Sequence, residues 1–211
     1  MKKILVTGLL LGLLFTCQSP KKNKQKPQED SPKSLQTTKW ELNEDASSIY
    51  WTGYKTTGKI PVKGVFQNFK IKGVKSATNL AEILKNAQVQ INVYSIFSDN
   101  EDRDKKLIGD LFEYMTDTEN IYARVEKITK DSIWVNIHMN AHEKIVPMFL
   151  QMDNQKGVVQ LNGRIDLLKD FAAAKALNKF HKACFDKHTG KDGVSKTWPE
   201  VAIAARLVFD K

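Results

Sequence analysis

Apolar and polar residues alternate along most of the chain after residue 40, and this two-residue period restricts its fold more than any other feature. Eight segments show the pattern, and turn-forming residues separate many of them. They are 48–55, 62–72, 89–95, 121–125, 133–139, 145–152, 159–165 and 201–209. Strands with this pattern bury one face and leave the other face polar. The sequence therefore predicts a mainly β domain.

Short connections between these segments set the direction of the strands. Lys130-Asp131 separates the fourth segment from the fifth, and residues 154–157 separate the sixth from the seventh. Links of this length join antiparallel neighbours. Eight antiparallel strands with one apolar face favour a closed barrel, which has no exposed edge, although the pattern also permits a sandwich. Pro147 has no N–H to donate, so we expect its strand to lie at an edge or a bulge.

Two other segments, about 99–115 and 167–188, break this period and show helical spacing. In the first segment, Ser98 or Asp99 can cap the N-terminus of the predicted helix. In the second, an alanine-rich middle favours a helix. Each segment has one apolar face. The faces consist of Leu107, Ile108, Leu111, Phe112 and Met115, and of Phe171, Ala174, Leu177, Phe180, Ala183 and Cys184.

The beginning of the chain has the composition of an export signal. Lys2-Lys3 precede a compact apolar run over residues 4–15, which is too short for a membrane-spanning helix. Leu14-Phe15-Thr16-Cys17 resembles the lipobox of bacterial lipoproteins, in which the cysteine carries the lipid, although Gly, Ala or Ser is commoner at position 16. An ordinary secretory signal is the alternative. We expect a signal peptide over 1–16, lipid attachment at Cys17, and a lipoprotein held in the bacterial cell envelope at the outer membrane.

Residues 17–39 form the predicted tether between this lipid and the domain over 40–211. The stretch is rich in Lys, Pro, Gln and Ser and has almost no large apolar residues, so it cannot bury enough surface to become ordered. As a flexible coil it spans roughly 25 Å. Residues 1–33 hold +5 of the net charge of +9, which suits a tether beside anionic lipid. The domain lacks a basic patch interleaved with aromatics, so we expect no nucleic-acid partner.

Several short motifs resemble those of the YceI-like family. The first is the stretch 95–107, which contains Arg103-Asp104, followed by Leu111-Phe112. Ser47-Ser48 and Gly64-Val65-Phe66 resemble the opening hairpin of the family. Residues 142–146 stand where the family has a turn that ends in Lys-Pro-Val, although here the proline follows at position 147. The resemblance covers residues 40–211.

The resemblance implies a lipocalin-like, eight-stranded barrel around an elongated apolar ligand, such as a polyisoprenoid or an isoprenoid quinone. It favours the barrel over the sandwich. Residues 171–193 are longer than the corresponding linker of the family, so they can cover one mouth of the barrel or fill its interior. Val93 is the single best guess for a position that faces the interior. The candidate ligand contacts are Trp51, Phe66, Phe69, Val93, Leu107, Leu111, Phe112 and Trp134.

Two other functions stay open at this point. His181, Cys184 and His188 share one face of the predicted helix and can ligate zinc or copper, although a cysteine on an apolar stripe more often packs as a hydrophobe. This set would make the protein metal- or redox-handling. A barrel filled by its own side chains would instead act as an envelope adaptor. We expect Arg103-Asp104 to be structural, and the chain shows no catalytic triad, phosphate-binding loop or dinucleotide fingerprint, so we expect no enzyme.

Overall fold

The computed structural model describes residues 39–211. The predicted signal peptide, Cys17 and all of the tether except Lys39 lie outside the described residues. Within 39–211, none of the helices combines the length and the apolar character that crossing a bilayer requires.

Ten antiparallel strands form one curled sheet, so the prediction of a mainly β, antiparallel domain is confirmed, but the predicted count of eight is wrong. The strands are β1 (Glu41–Lys55), β2 (Ile60–Phe66), β3 (Phe69–Lys72), β4 (Gln88–Asn92), β5 (Ile96–Phe97), β6 (Asn120–Ile128), β7 (Ser132–Met139), β8 (His142–Asp153), β9 (Val158–Asp166) and β10 (Glu200–Asp210). Their order in the sheet is β3-β4-β6-β7-β8-β9-β10-β1-β2-β5.

One additional strand arises because the predicted strand 62–72 is broken, and the other, β5, begins just after the predicted segment 89–95. The segment 62–72 bends at Gln67 and Asn68, and a 3-10 turn over Val93–Ser95 separates β4 from β5. The two breaks meet, since the N–H of Gln67 donates to the carbonyl of Ser95 at 3.0 Å and the N–H of Asn68 donates to its hydroxyl at 3.0 Å. Strand β3 is at one end of the sheet order and β2 is near the other end, yet only two residues separate them along the chain. The sheet must therefore curl to bring these two strands together.

Pro147 lies in β8, opposite Trp134 of β7. Strand β8 pairs with β9 only over Phe149–Asp153, so in the described residues the half that contains Pro147 has β7 as its one neighbouring strand. The missing N–H therefore breaks no ladder with β9. The predicted edge position is correct for this half of β8, whereas the other half is internal.

The helices are shorter than predicted. They are α1 (Leu80–Leu84), α2 (Glu101–Lys106), α3 (Ala174–Ala183) and α4 (Phe185–His188). The N-cap of α2 is Asn100, whose side chain accepts the N–H of Arg103 at 2.9 Å, so the predicted caps Ser98 and Asp99 are wrong. A π-helical stretch and a 3-10 turn extend α2 to Tyr114. Five residues are too few for a periodic signal, and α1 has no counterpart among the predicted helices.

The apolar face of the sheet forms the core of the domain. On β7, Ile133 and Ile137 are buried, whereas Trp134 and His138 on the alternate face are partly exposed. Helix α1 adds Leu80, Ile83 and Leu84, each no more than 2% exposed. The alternation of the sequence is therefore the alternation between the interior of the curled sheet and its outer surface.

Candidate functional site

A cavity of about 370 Å³ lies between the curled sheet and the helical segments. Its volume is near the lower end of the range of ligand pockets, roughly 300–1,000 Å³. Strands β1, β2, β6 and β10 contribute apolar side chains to its wall, as do α3 and the segment that follows α2. The wall includes Trp51, Phe66, Ile121, Leu177, Phe180 and Ile203.

Strand register brings the indole ring of Trp51 into this wall. Trp51 lies opposite Ile203 of β10 and opposite Gly64 of β2. A Cβ at Gly64 would stand 2.4 Å from the indole ring and 2.5 Å from the carbonyl oxygen of Phe97. Only glycine leaves the ring enough space to rest on the backbone of β2. The Gly64-Val65-Phe66 motif therefore has a steric role at the cavity.

The segment after α2 covers the cavity with Leu107, Leu111 and Phe112, each 7% exposed. The N–H of Phe112 donates to the carbonyls of Ile108 and Leu107, and the second of these bonds closes a π-helical turn. Such wide turns often occur at functional sites. The ring of Phe112 meets the ring of Phe66 edge to face, with centroids 6.4 Å apart. This aromatic pair fastens the segment to β2.

The long segment before β10 forms another part of the wall. Leu177, Phe180 and Cys184 are buried and line the cavity from α3 and its C-terminus, and Lys187 and His188 line it from α4. Residues 171–193 therefore have the first of their two predicted roles, because they cover the cavity and do not fill its interior.

Five of the predicted ligand contacts line this cavity, and three do not. Trp51, Phe66, Leu107, Leu111 and Phe112 belong to the wall. Val93 does not, and its predicted position in the middle of a strand is wrong, because it begins the 3-10 turn and is fully buried. Its N–H donates to the carbonyl of Glu119 at 3.1 Å. A conformational break within a strand shifts every later side chain, so alternation alone misplaces such a residue.

Phe69 and Trp134 lie away from the cavity as well. Phe69 is in β3, opposite Ile91, and packs against the core. Trp134 points to the outer face of β7, where the ammonium group of Lys127 lies 4.9 Å from the centre of its ring. Because the odd-numbered residues of β7 face the interior, the even-numbered Trp134 points outward.

His181, Cys184 and His188 do not form the predicted ligand set. Their spacing requires one continuous helix, but the chain breaks at Cys184 between α3 and α4. The Nδ1 atoms of His181 and His188 instead lie 2.9 Å and 2.6 Å from the hydroxyl oxygen of Thr197. One hydroxyl can donate to one imidazole and accept from the other. Within residues 39–211, no group of three His, Cys, Asp or Glu side chains is placed to hold a metal ion.

Burial favours the uncharged forms of two ionisable side chains in the cavity wall, His188 and Cys184. Burial, the charges of Lys55 and Lys106 and the nearby His181 together lower the pKa of His188 to about 4. Burial also raises the pKa of the Cys184 thiol. The imidazole of His188 is therefore neutral near pH 7, and the thiol is protonated.

Arg103 and Asp104 are connected through Ser98. Arg103 Nε donates to the Ser98 hydroxyl at 2.7 Å, and its Nη2 donates to the Ser98 carbonyl at 2.6 Å. The Ser98 hydroxyl donates to the Asp104 carboxylate, which also accepts the Ser98 N–H at 3.2 Å. These bonds tie α2 to the end of β5, which agrees with the structural role predicted for the pair.

Sequence reasoning missed the lysines that line the cavity. Lys55 ends β1, Lys106 ends α2 and Lys187 lies in α4. Lysines are frequent throughout the chain, so no spacing singles out these three. Only the tertiary structure brings them to the same cavity.

Comparison with family models and solved structures identifies proteins that share this fold. A family model described as a YceI-like domain matches residues 40–209. A polyisoprenoid binding domain from Saccharophagus degradans, implicated in plant cell wall breakdown, has a similar structure, with 12% identity, a TM-score of 0.58, and coverage of 81% of this chain and 97% of that chain. BcnA from Burkholderia cenocepacia is also similar, with 13% identity, a TM-score of 0.50, and coverage of 81% and 100%. At these identities the similarity is one of fold alone. No curated protein gives a significant match.

Proposed function

This chain belongs to the YceI-like family, and from that premise we propose that its cavity binds an elongated apolar lipid, such as a polyisoprenoid or an isoprenoid quinone, without catalysis. The observation that carries the proposal is the open space of about 370 Å³ behind apolar side chains such as Trp51, Leu111 and Ile203. The similar domain from Saccharophagus degradans is described as polyisoprenoid binding, which supports the same class of ligand here.

The hydrophobic effect supplies the affinity in this proposal. Burial of apolar surface yields roughly 25 cal/mol per Å², so a tail that buries about 200 Å² gains roughly 5 kcal/mol before the cost of association. This contribution needs no hydrogen bond to the protein. Binding of a neutral lipid should therefore survive high salt, which weakens only the contacts between exposed charges.

We also propose that the protein is a lipoprotein of the bacterial cell envelope, held by Cys17, with residues 17–39 as its tether. The lysines at the start of the chain, the apolar run and the lipobox resemblance support this assignment. A tether of roughly 25 Å would let the cavity receive lipid close to a bilayer. The protein would then act as a carrier or reservoir.

A pair of matched substitutions tests the lipid-binding proposal. Ile203→Trp adds bulk to the cavity wall, whereas Ile145→Trp makes the same change on the outer surface, where Ile145 is 51% exposed. The full chain with Cys17→Ser, which removes the lipid attachment, is purified, extracted with organic solvent and analysed by mass spectrometry. We expect extractable lipid in the parent protein and in Ile145→Trp, and a large loss in Ile203→Trp, with unchanged circular dichroism in all three.

The proposal fails if the parent protein holds no extractable lipid and takes up neither a polyprenol nor a quinone when they are added. That result, together with a protein partner in crosslinking, would favour the envelope adaptor instead.

A further inference from the structure

The cavity opens to solvent between the N-terminus of α2 and α4. Asn100, Asp102 and Lys187 are the exposed residues of its wall, whereas the other residues of the wall are buried or half-buried. Ile60 is exposed and shares one face of β2 with Val62, which lines the cavity, so Ile60 lies at the edge of the opening. A ligand that enters or leaves the cavity therefore passes this part of the surface.

Positive charge is concentrated on one side of this opening. Residues 1–39 hold +6 of the net charge of +9, which leaves +3 for the domain over 40–211. Two short stretches, 55–60 and 182–196, contain six lysines and two aspartates, so their net charge of +4 exceeds that of the whole domain. We call these two stretches the basic surface, and its lysines are Lys55, Lys59, Lys182, Lys187, Lys191 and Lys196.

Hydrogen bonds join the two stretches into one surface. The N–H of Thr56 donates to the carbonyl of Lys196 at 2.8 Å, and the Ser195 hydroxyl donates to the carbonyl of Phe185 in α4 at 2.8 Å. The turn after β1, the loop before β10 and α4 are therefore held together. Asp102 lies in α2, on the other side of the opening, so the basic surface is confined to the side of α4.

Most of these lysines have no ion-pair partner among residues 39–211. Lys59 lies 3.4 Å from the Glu200 carboxylate, but no carboxylate oxygen of the described residues lies within 4.0 Å of the other five ammonium groups. By contrast, Lys75 lines a separate pocket together with Glu41 and Glu44, so its region carries both signs of charge. Like charges that share one surface repel each other, and an anionic partner relieves this repulsion.

Exposed apolar side chains lie among the lysines of the basic surface. Ile60, Phe185 and Val194 are each about half exposed. Apolar side chains of this kind enter the boundary between the head groups and the acyl chains of a bilayer, while ammonium groups remain at the level of anionic head groups. An anionic bilayer therefore matches both the charge and the apolar groups, and it is also a source of the apolar lipid that the cavity is proposed to bind.

We propose that the basic surface docks on an anionic bilayer, with its lysines at the head groups and with Ile60, Phe185 and Val194 at the boundary with the acyl chains. The opening of the cavity then meets the membrane, and an apolar lipid passes between them without crossing water. This role in lipid transfer rests on the proposed function, whereas the docking itself needs no ligand in the cavity.

Vesicle binding of the purified full chain with Cys17→Ser tests this docking. Vesicles of phosphatidylcholine alone and vesicles with about 30% phosphatidylglycerol are sedimented at low salt, and the bound protein is measured. We expect added salt to weaken the binding of the parent protein to the anionic vesicles. A triple variant should bind these vesicles at least about tenfold more weakly, since each lysine near such a surface contributes about fivefold. It replaces three exposed lysines that do not line the cavity, and it is Lys182→Gln, Lys191→Gln and Lys196→Gln.

A second triple variant provides the matched control, because it removes the same charge from a region that also contains Glu41 and Glu44. It is Lys70→Gln, Lys72→Gln and Lys75→Gln. Its affinity should stay within about threefold of that of the parent protein. Phe185→Ala should weaken binding about threefold or more, whereas Phe149→Ala, on the outer face of β8 and equally exposed, should leave it unchanged. Residues 1–39 are identical in all of these variants, so their own lysines contribute equally.

Binding of farnesol in solution, without vesicles, separates this proposal from the proposed function. The triple variant at positions 182, 191 and 196 should bind farnesol as the parent protein does, because these side chains lie outside the cavity wall. Equal losses of vesicle affinity in the two triple variants, or no loss in the first, overturn the docking surface. Binding to poly-glutamate without binding to anionic vesicles overturns the bilayer and identifies an acidic protein as the partner. A parent protein that docks on vesicles but binds no farnesol overturns the proposed function and leaves the docking intact.

Discussion

Phe112→Ala tests whether the cavity is open space or packed core. Phe112 is 7% exposed and packs against Phe66 on one side, while its other side faces the cavity. Phe171 provides the comparison, because it is fully buried and does not line the cavity. Truncation of a fully packed phenylalanine costs about 3–5 kcal/mol, since both transfer energy and new empty volume contribute.

The expected losses differ because the two rings have different surroundings. Phe171→Ala should lose the full amount of about 3–5 kcal/mol. Phe112→Ala should lose about 2–3 kcal/mol, since the side of the ring that faces the cavity has few contacts to lose. For a domain of this size, 1 kcal/mol corresponds to about 2–4 °C in Tm. We therefore expect Tm to fall by about 4–12 °C for Phe112→Ala and by about 6–20 °C for Phe171→Ala.

Urea unfolding of the lipid-free full chain, followed by circular dichroism, gives the free energy of unfolding of each variant. Uptake of farnesol provides the second measurement, and we expect Phe112→Ala to weaken it while Phe171→Ala leaves it unchanged. A loss for Phe112→Ala as large as that for Phe171→Ala would mean that no cavity exists on this side of the ring. A change within experimental error would mean that solvent already surrounds the segment.

The remaining predictions concern the sheet, pH and the N-terminal region. Gly64→Ala should cost about 1–3 kcal/mol, because its Cβ overlaps the indole ring that rests on β2. Gly109→Ala, which meets no atom within 4 Å, should instead be neutral or stabilise the helix by up to about 1 kcal/mol, and urea unfolding distinguishes the two. The pKa of His188 is about 4 in the folded protein and 6.5 ordinarily, so the unfolded chain binds the proton first. The contribution of neutral His188 to the free energy of unfolding should therefore be fully present above pH 6.5 and be lost as the pH drops toward 4. If His188→Gln removes this dependence of the free energy of unfolding on pH, His188 is the group responsible. Cys17→Ser should move the protein from the membrane fraction to the soluble fraction, and unchanged fractionation would contradict a lipid anchor. Limited proteolysis should cut among the lysines before Trp40 and leave a resistant core, whereas unfolding of the trimmed protein would refute an independent domain.

Local pattern in the sequence determined most of the strands and the family. Period-two alternation located the segments that became β6 to β10, because each side chain in a strand belongs to one of two faces. Short links made neighbouring strands antiparallel, and the motifs around Arg103-Asp104 and Gly64-Val65-Phe66 indicated the family that the comparison confirmed. The same patterns correctly placed Leu107, Leu111 and Phe112 on the covering segment.

Features that depend on contacts between distant residues were decided only by the tertiary structure. The breaks at Gln67 and at Val93 are stabilised by bonds between two segments of the chain, so neither segment shows them alone. The spacing of His181, Cys184 and His188 suggested one helical face, but the helix ends at Cys184 and both imidazoles meet Thr197.

The three lysines that line the cavity are the clearest case of the same limit. Lys55 comes from the end of β1 and Lys187 from α4, and Lys106 reaches the carbonyl of Ala183, 77 residues further along the chain. Periodicity in a sequence encodes which residues share a face of one element, because that depends on local backbone geometry. It does not encode which elements become neighbours, since that depends on how the sheet curls and how the helices pack against it. The sequence by itself determined an apolar interior, and the packing of the elements decided where positive charge meets it.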